Sequence, residues 1–490
     1  MDSKTISERY YDYFQTLSLN DLRTFGRFKG VHAATQLKKS ILIEEIIQIL
    51  TGKVTPTLPK SDAKPVGAPP KSSALNPEIL PKLEAIRKEC EAEENERKFT
   101  FRVASDEEDD RDPYEDSFDA PVYSGILEIM PNGYGFLRGR NCQPTSGADV
   151  FVPAQVIHSM QLREGDFVSC TARPSQKNES AAIWNVLSVN GFPVGKYERR
   201  PHFDNLTAQY PNQKIQFSGK GSPLSLRVLD LFIPIGLGQR GLIIAPPKAG
   251  KTTLLKEIAR SVSSRYPEIA LIVLLIDERP EEVTDFKKTV SSAEVIYSTF
   301  DEGAEHHIRA AELTLEHAKR AAEQGMDVVI LLDSLTKLTR AYNHVTENTG
   351  KTLTGGLEAS AFAGPKRFFG TARNTIEAGS VTILATTLVD TGSRMDDIIY
   401  EEFKGTGNAD IFLSRELAEK RVFPAIDITH SGTRKEELLL NSEELKTEFE
   451  IRERGFTNNV PALLEMLKKT ETNEEFLQRF PEWKKIYKNG

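Results

Sequence analysis

The chain has 490 residues, 39% hydrophobic and 27% charged, which at ~150 residues per domain suggests about three domains and excludes collagen-like, mucin-like and wholly disordered classes. No apolar run approaches the ~18 residues of a membrane span, and the N-terminus has no apolar signal region. Lys+Arg 63 against Asp+Glu 71 gives −8, yet the stretch 106–119 alone, with nine acids and Arg111, carries that same −8. The remainder is near neutral, so any nucleic-acid surface must be a local basic one. Cys90, Cys142 and Cys170 have neither metal-ligand spacing nor an even disulfide set, which predicts a soluble, cytoplasmic protein without membrane contact.

Residues 1–50 predict a small helical unit. Leu17, Leu19, Leu22 and Phe25 fit one helical face, with Ser18 or Asn20 as cap, and 40–50 repeats apolar residues behind Lys38 and Lys39. Its use is either structural or as an auxiliary nucleic-acid contact. Residues 51–119 predict a disordered segment: a linker with seven prolines between positions 52 and 81, a charged helix at 82–98, then the acidic tract.

Residues 120–192 contain five short runs rich in Ile, Val, Phe and Leu (124–130, 133–138, 149–153, 166–172 and 182–189) separated by turn residues. Five short strands in so little chain predict a small closed barrel of the OB or cold-shock kind. A connector at 193–225 leads to residues 226–490, where strands at 241–245, 270–276, 327–332 and 380–387 alternate with helices. That pattern predicts a parallel sheet in an α/β fold.

Four features carry chemistry. Ala245-Pro-Pro-Lys-Ala-Gly-Lys-Thr252, between a strand and a helix, is a P-loop with alanine in its first position. Gly250 lets backbone N–H groups approach phosphates, Lys251 reaches the β/γ-phosphates, and the Thr252 hydroxyl ligates Mg²⁺. Residues 328–333 end an apolar strand in Asp333, as a Walker B strand does. Glu278, at the end of another strand, is the candidate general base, with Asp277 structural. In the barrel, Tyr134, Phe136 and Arg138 alternate onto one face, with Phe151 and Asp149 on a nearby strand. Such a surface stacks bases and contacts phosphate or base edges.

APPKAGKT, LLIDERPEEVTDF, VVILLDSLTKLTRAYN, PKRFFGTARN, EEFKGTGN, KRVFPAID, SGTRKEELL and the barrel's GYGFLR closely resemble the Rho family of bacterial transcription termination factors. The resemblance covers about 122–470 strongly and 5–50 loosely. It implies a homohexameric ring of RecA-type motors that binds nascent RNA, moves 5′→3′ with ATP and Mg²⁺, and displaces the transcript from RNA polymerase, with elongation factors as further partners. It implies nucleotide binding by Lys248, Ala249, Gly250, Lys251, Thr252 and Thr253, metal ligation by Thr252 and Asp333, and catalysis by Glu278. Phe423 would stack on adenine, while Arg421 and Arg434 would reach the nucleotide of a neighbouring subunit, Arg434 as the finger. Loops 349–356 with Lys351 and 391–396 with Arg394 would line the RNA channel. Asn178 and Ser180 stand where the family has an acid and a tyrosine for cytosine, so cytosine selectivity is expected to be weakened, with Glu179 supplying the carboxylate if the loop shifts by one residue. Two alternatives remain: a rotary-type ring ATPase indifferent to RNA, and a passive RNA-binding protein whose P-loop only senses nucleotide.

Overall fold

Helical spacing in the first fifty residues becomes α1 (Ile6–Thr16), α2 (Leu19–Phe28) and α3 (Lys39–Leu50), which bury Phe14, Leu22, Phe25, Leu42, Ile43 and Ile46 against one another. Ser18 is the cap of α2: its Oγ accepts the Asp21 N–H at 3.1 Å. Lys39 Nζ donates to the carbonyls of Gln15 and Leu17 at 2.9 and 2.8 Å, which ties the start of α3 to the last turn of α1 and the residue after it. The computed structural model describes residues 6–29, 31, 37–50, 79, 82, 121–139, 141–145, 147–173, 180–194, 200–346, 352–353 and 356–486, in two units, Met1–Lys98 and Phe99–Gly490. Ile79 corrects the 51–119 assignment. It is helical and fully buried in the first unit's core, so an apolar side chain inside the Pro-rich stretch is used for packing. The acidic tract lies outside the described residues.

The second unit opens with the expected barrel. Strands β1 (Val122–Ile129), β2 (Gly135–Arg138), β3 (Val150–Val152), β4 (Phe167–Arg173), β5 (Ala182–Val189) and β6 (Phe192–Pro193) form a sheet in the order β3-β2-β1-β4-β5-β6, closed by a β3–β5 pairing. Alternation puts Leu127, Leu137, Val150, Val152, Val168, Ile183 and Val186 inside. A short helix, α4 (Ala154–Ser159), follows β3.

After the connector come α5 (Leu224–Phe232), β7 (Arg240–Ala245), α6 (Lys251–Arg265), β8 (Ala270–Glu278), α7 (Pro280–Thr289), β9 (Glu294–Thr299) and α8 (Ala304–Glu323). Then follow β10 (Val328–Asp333), α9 (Leu335–Val345), β11 (Val381–Leu388), α10 (Arg394–Phe403), β12 (Ala409–Phe412) and β13 (Gly432–Thr433). The seven-stranded sheet has the order β9-β8-β10-β11-β7-β12-β13. Every pairing in it is parallel except β12–β13. Its central strands are buried on both faces, as continuous apolar runs such as Val328–Asp333 require.

Barrel and motor sheet meet along α8. Gly165 has φ +87°, and a Cβ there would lie 2.3 Å from the Glu316 backbone carbon, so this turn approaches the helix as only glycine can. His317 Nδ1 donates to the Gly165 carbonyl at 3.0 Å, and its Nε2 lies 3.9 Å from Glu294 Oε2. Arg163 and Arg200 both reach the buried Glu323 of α8, and Arg200 also pairs with Asp166. Burial pushes the Glu294 carboxyl up to about 8 and lowers the His317 pKa, so it disfavours the charged form of each at this seam. A carboxyl raised on folding stabilises fully below its unfolded pKa and loses that contribution as pH rises through the folded value. Glu294→Gln should therefore flatten the fall in Tm between roughly pH 5 and pH 8, measured by thermal unfolding across pH; an unchanged slope would contradict it.

Candidate nucleotide and RNA sites

The phosphate loop is built by a sharp strand-to-helix change. Pro246 and Pro247 cannot extend the ladder of β7, Lys248 and Gly250 adopt positive φ (66° and 95°), and Lys251 opens α6. The loop's backbone amides and the helix N-terminus thus face one space at the carboxyl edge of the sheet. Ala249 is buried, while Lys248 and Thr253 are exposed and Thr252 is half-buried.

Three expected residues converge there. Lys251 Nζ lies 2.5 Å from Asp333 Oδ1 and 3.7 Å from Glu278 Oε1. Asp333 Oδ1 also accepts from Thr386 Oγ1 at 2.8 Å. Burial raises the Glu278 pKa, the Asp333 charge adds to this, and Lys251 and Lys337 oppose it. Burial disfavours the Lys251 ammonium, but Asp333 and Glu278 more than offset that and raise its pKa. Asp277 carries a positive φ of 56° near the end of β8.

Lys337 is a residue that motif reading missed. Its Nζ donates to Glu278 Oε1 at 2.7 Å and to the Asp277 carbonyl at 2.5 Å, fixing the candidate base from α9. Its signal was present: it lies one helical turn after Asp333. Lys337→Met should raise the Glu278 pKa further and move the acidic limb of the pH–rate profile upward, while Lys337→Arg should retain most of the wild-type profile. A Lys337→Met profile superimposable on wild type would contradict this.

Beside the loop lies a cavity of about 420 Å³ lined by Ala249, Gly250, Thr253, Leu254, Leu413, Phe423 and Pro424. Phe423, 48% exposed, stands over this largely apolar space, so a planar base there would meet a ring. Ser225 and Glu257 add a polar pair, the Ser225 hydroxyl donating to the Glu257 carboxylate. Glu257 follows Thr253 at i+4 and so shares its helical face, the signal that could have found it.

The two arginines separate. Arg434 is exposed and follows β13, and its backbone N–H donates to the Asn408 carbonyl at the amino end of β12. Ala409 pairs with Gly241, so Arg434 stands at the opposite sheet edge from its own phosphate loop, the length of β7 away (~17 Å at ~3.3 Å per residue). Arg421 instead lies on the phosphate-loop edge, two residues before Phe423. Arg421, expected like Arg434 to reach the nucleotide of a neighbouring subunit, thus lies at the edge of its own phosphate loop, which Arg434 does not. Lys248, Arg394, Arg421 and Arg434 make no side-chain ion pair among the described residues.

In the barrel, Tyr134, Phe136 and Phe151 form one outward cluster, with ring centroids 5.5–5.9 Å apart. Arg138 shares this face, its Cζ 4.7 Å from the Phe136 centroid, but it is only 5% exposed. Its Nε and Nη1 contact Glu128 Oε2 at 2.5 Å and Asp149 Oδ2 at 2.7 Å. Arg138 is thus a buried, doubly paired strut beneath Phe136, and Glu128 and Asp149 hold it on the face from which a phosphate or base contact is expected. Asp149 is likewise buried, accepting also from the Thr145 N–H at 2.7 Å, and burial raises its pKa. Glu128 in turn lies 3.6 Å from Arg309 on α8.

Arg394 is exposed at the start of α10, next to a loop pinned by Asp396 of that helix, which takes Arg340 at 2.6 Å and the Thr391 hydroxyl at 2.7 Å. Lys351, Asn178 and Glu179 lie outside the described residues. Ser180 is half-buried, two residues before β5. Among the described residues no helix is long and apolar enough to cross a membrane.

Comparison with known proteins gives two family matches: the Rho termination factor RNA-binding domain over residues 123–194, and the ATP synthase alpha/beta family nucleotide-binding domain over 225–433. Among curated relatives, transcription termination factor Rho of Bacillus subtilis is 52% identical over 365 residues, 74% of this chain and 85% of that protein. Rho of Aquifex aeolicus is 52% identical over 72% of this chain and 83% of its own. Rho of Escherichia coli K12 is 50% identical over 72% and 86%. The shared span contains both the aromatic barrel and the phosphate-loop motor.

Proposed function

The chain belongs to the Rho family of transcription termination factors, and from that premise we propose that it works as a homohexameric, RNA-dependent ATPase that moves 5′→3′ along the transcript and displaces it from RNA polymerase. The observation that carries this reading is the joining of an aromatic barrel face to a phosphate-loop motor through Arg138, Glu128 and Arg309 of α8. A motor indifferent to RNA would have no use for that face.

In this reading the loop amides and Lys248 hold the phosphates, and Phe423 stacks on the base. Glu278 accepts a hydrogen bond from the attacking water, and its raised pKa suits it to take a proton. Lys251 exchanges Asp333 for the β/γ-phosphates, which frees the Asp333 carboxylate. The Thr252 hydroxyl and Asp333 are hard oxygen donors of the kind Mg²⁺ selects, and they would hold that ion, which supplies charge neutralisation at the phosphates. Arg434 enters from the neighbouring subunit, and Arg421 contributes beside the base. Lys351 and Arg394 grip RNA in the ring's channel.

Strand displacement tests the reading. An RNA–DNA duplex with a 5′ RNA overhang should be separated with ATP, and one with only a 3′ overhang should not. Displacement without ATP, or from the 3′ overhang alone, would contradict it.

A further inference from the structure

The Ser180 position leaves the barrel without the ring expected beside its aromatic cluster, yet an indole stands on the same face. Phe151 of β3 pairs with Ala182 of β5, so their side chains share the outer surface, and Ile183 turns inward. The β4–β5 register then slips: Thr171 pairs with Asn185 and Ala172 with Ile183, which leaves Trp184 as the extra residue of a bulge. Bulges kink a strand and re-aim a side chain. Trp184 is 62% exposed, so its ring is not there to fill the core. The Arg173 guanidinium lies 3.2 Å from the indole centroid and covers one face of it. The remaining indole surface is open to solvent, about 7 Å along β5 from Ala182 at ~3.3 Å per residue.

We propose that Trp184, backed by Arg173, is a further base-stacking wall for single-stranded RNA, extending the surface of Tyr134, Phe136 and Phe151 across the barrel closure. The inference rests on the reading of this barrel as the RNA-binding domain. Three features select nucleic acid as the occupant: continuity with the aromatic cluster, a cation already layered on the ring, and a planar exposed indole. Arg173 stacks on the indole's far side and presents its N–H groups to a phosphate. Every base has a π-face, so the wall adds affinity without cytosine selectivity. It thereby offsets the affinity lost with the absent ring at Ser180, while leaving the selectivity of that pocket weakened.

The chain contains two tryptophans, and Trp483 is 9% exposed, so quenching of fluorescence by bound RNA reports on Trp184. The test uses the full-length protein and oligocytidylate and oligouridylate of ~10 nucleotides at one fixed salt concentration. Both RNAs should quench wild type. Trp184→Leu should abolish the quenching and weaken binding of both by ~5- to 150-fold, and Trp184→Phe should keep most of the affinity. Trp184→Leu binding like wild type while Phe136→Ala binds weakly would overturn the inference alone. If Phe136→Ala also bound like wild type, the barrel reading itself would fail. Loss of assembly in Trp184→Leu, seen by sedimentation, with unchanged RNA affinity would make this a protein interface and overturn the proposal.

Discussion

Arg434→Ala should lower ATP turnover by ~10³-fold or more while leaving nucleotide affinity nearly unchanged, because an arginine finger acts on charge that develops in the transition state. The effect is expected to be intersubunit. Arg434 follows β13 at the amino edge of the sheet and its own phosphate loop lies at the carboxyl edge, a separation that an arginine side chain does not close. Mixing Arg434→Ala with Glu278→Ala subunits should therefore restore part of the activity, since some interfaces then combine an intact Glu278 with an intact Arg434. Steady-state phosphate release across mixing ratios measures this. No recovery in rings shown to contain both variants would count against action in trans.

Lys251→Ala should abolish turnover while binding of RNA by the barrel persists. The ammonium now sits 2.5 Å from Asp333 and 3.7 Å from Glu278. Its removal leaves Asp333 without its cation, raises the Glu278 pKa further although Lys337 stays paired with it, and presents added negative charge to the incoming phosphates. The barrel has its own core, centred on Leu127, Leu137, Val150 and Val168, so its face should survive. Phosphate release and oligonucleotide affinity, measured at the same salt concentration, separate the two effects. Equal loss of both would show that the two sites are not independent.

The motor's main elements were legible because each carries its own local signal. Pro280 opens α7 and the apolar run 328–333 ends on Asp333, so their bounds could be read closely from the chain. β9 was not read: it begins with the buried acid Glu294 and ends on Ser298 and Thr299, so its residue types do not alternate although its burial does. Arg138 was placed on the right face by period-two reasoning, but its burial depends on Glu128 and Asp149, which arrive from other strands. Trp184 escaped because its neighbourhood depends on the Phe151–Ala182 pairing and on the slip between Thr171 and Ala172, which exist only once β3, β4 and β5 are paired. The position of Arg434 needs the order of the sheet strands, which a single sequence does not state. Local chemistry was visible, whereas placements that depend on pairing between distant segments were not.

The most direct measurement is the ATPase rate of the full-length protein with and without polycytidylate RNA, at fixed salt and with Phe136→Ala as a second arm. A motor joined to an RNA-binding barrel should hydrolyse ATP slowly alone and many times faster with RNA, and Phe136→Ala should require more RNA to reach the same rate. A rate equal with and without saturating RNA would contradict an RNA-dependent ATPase.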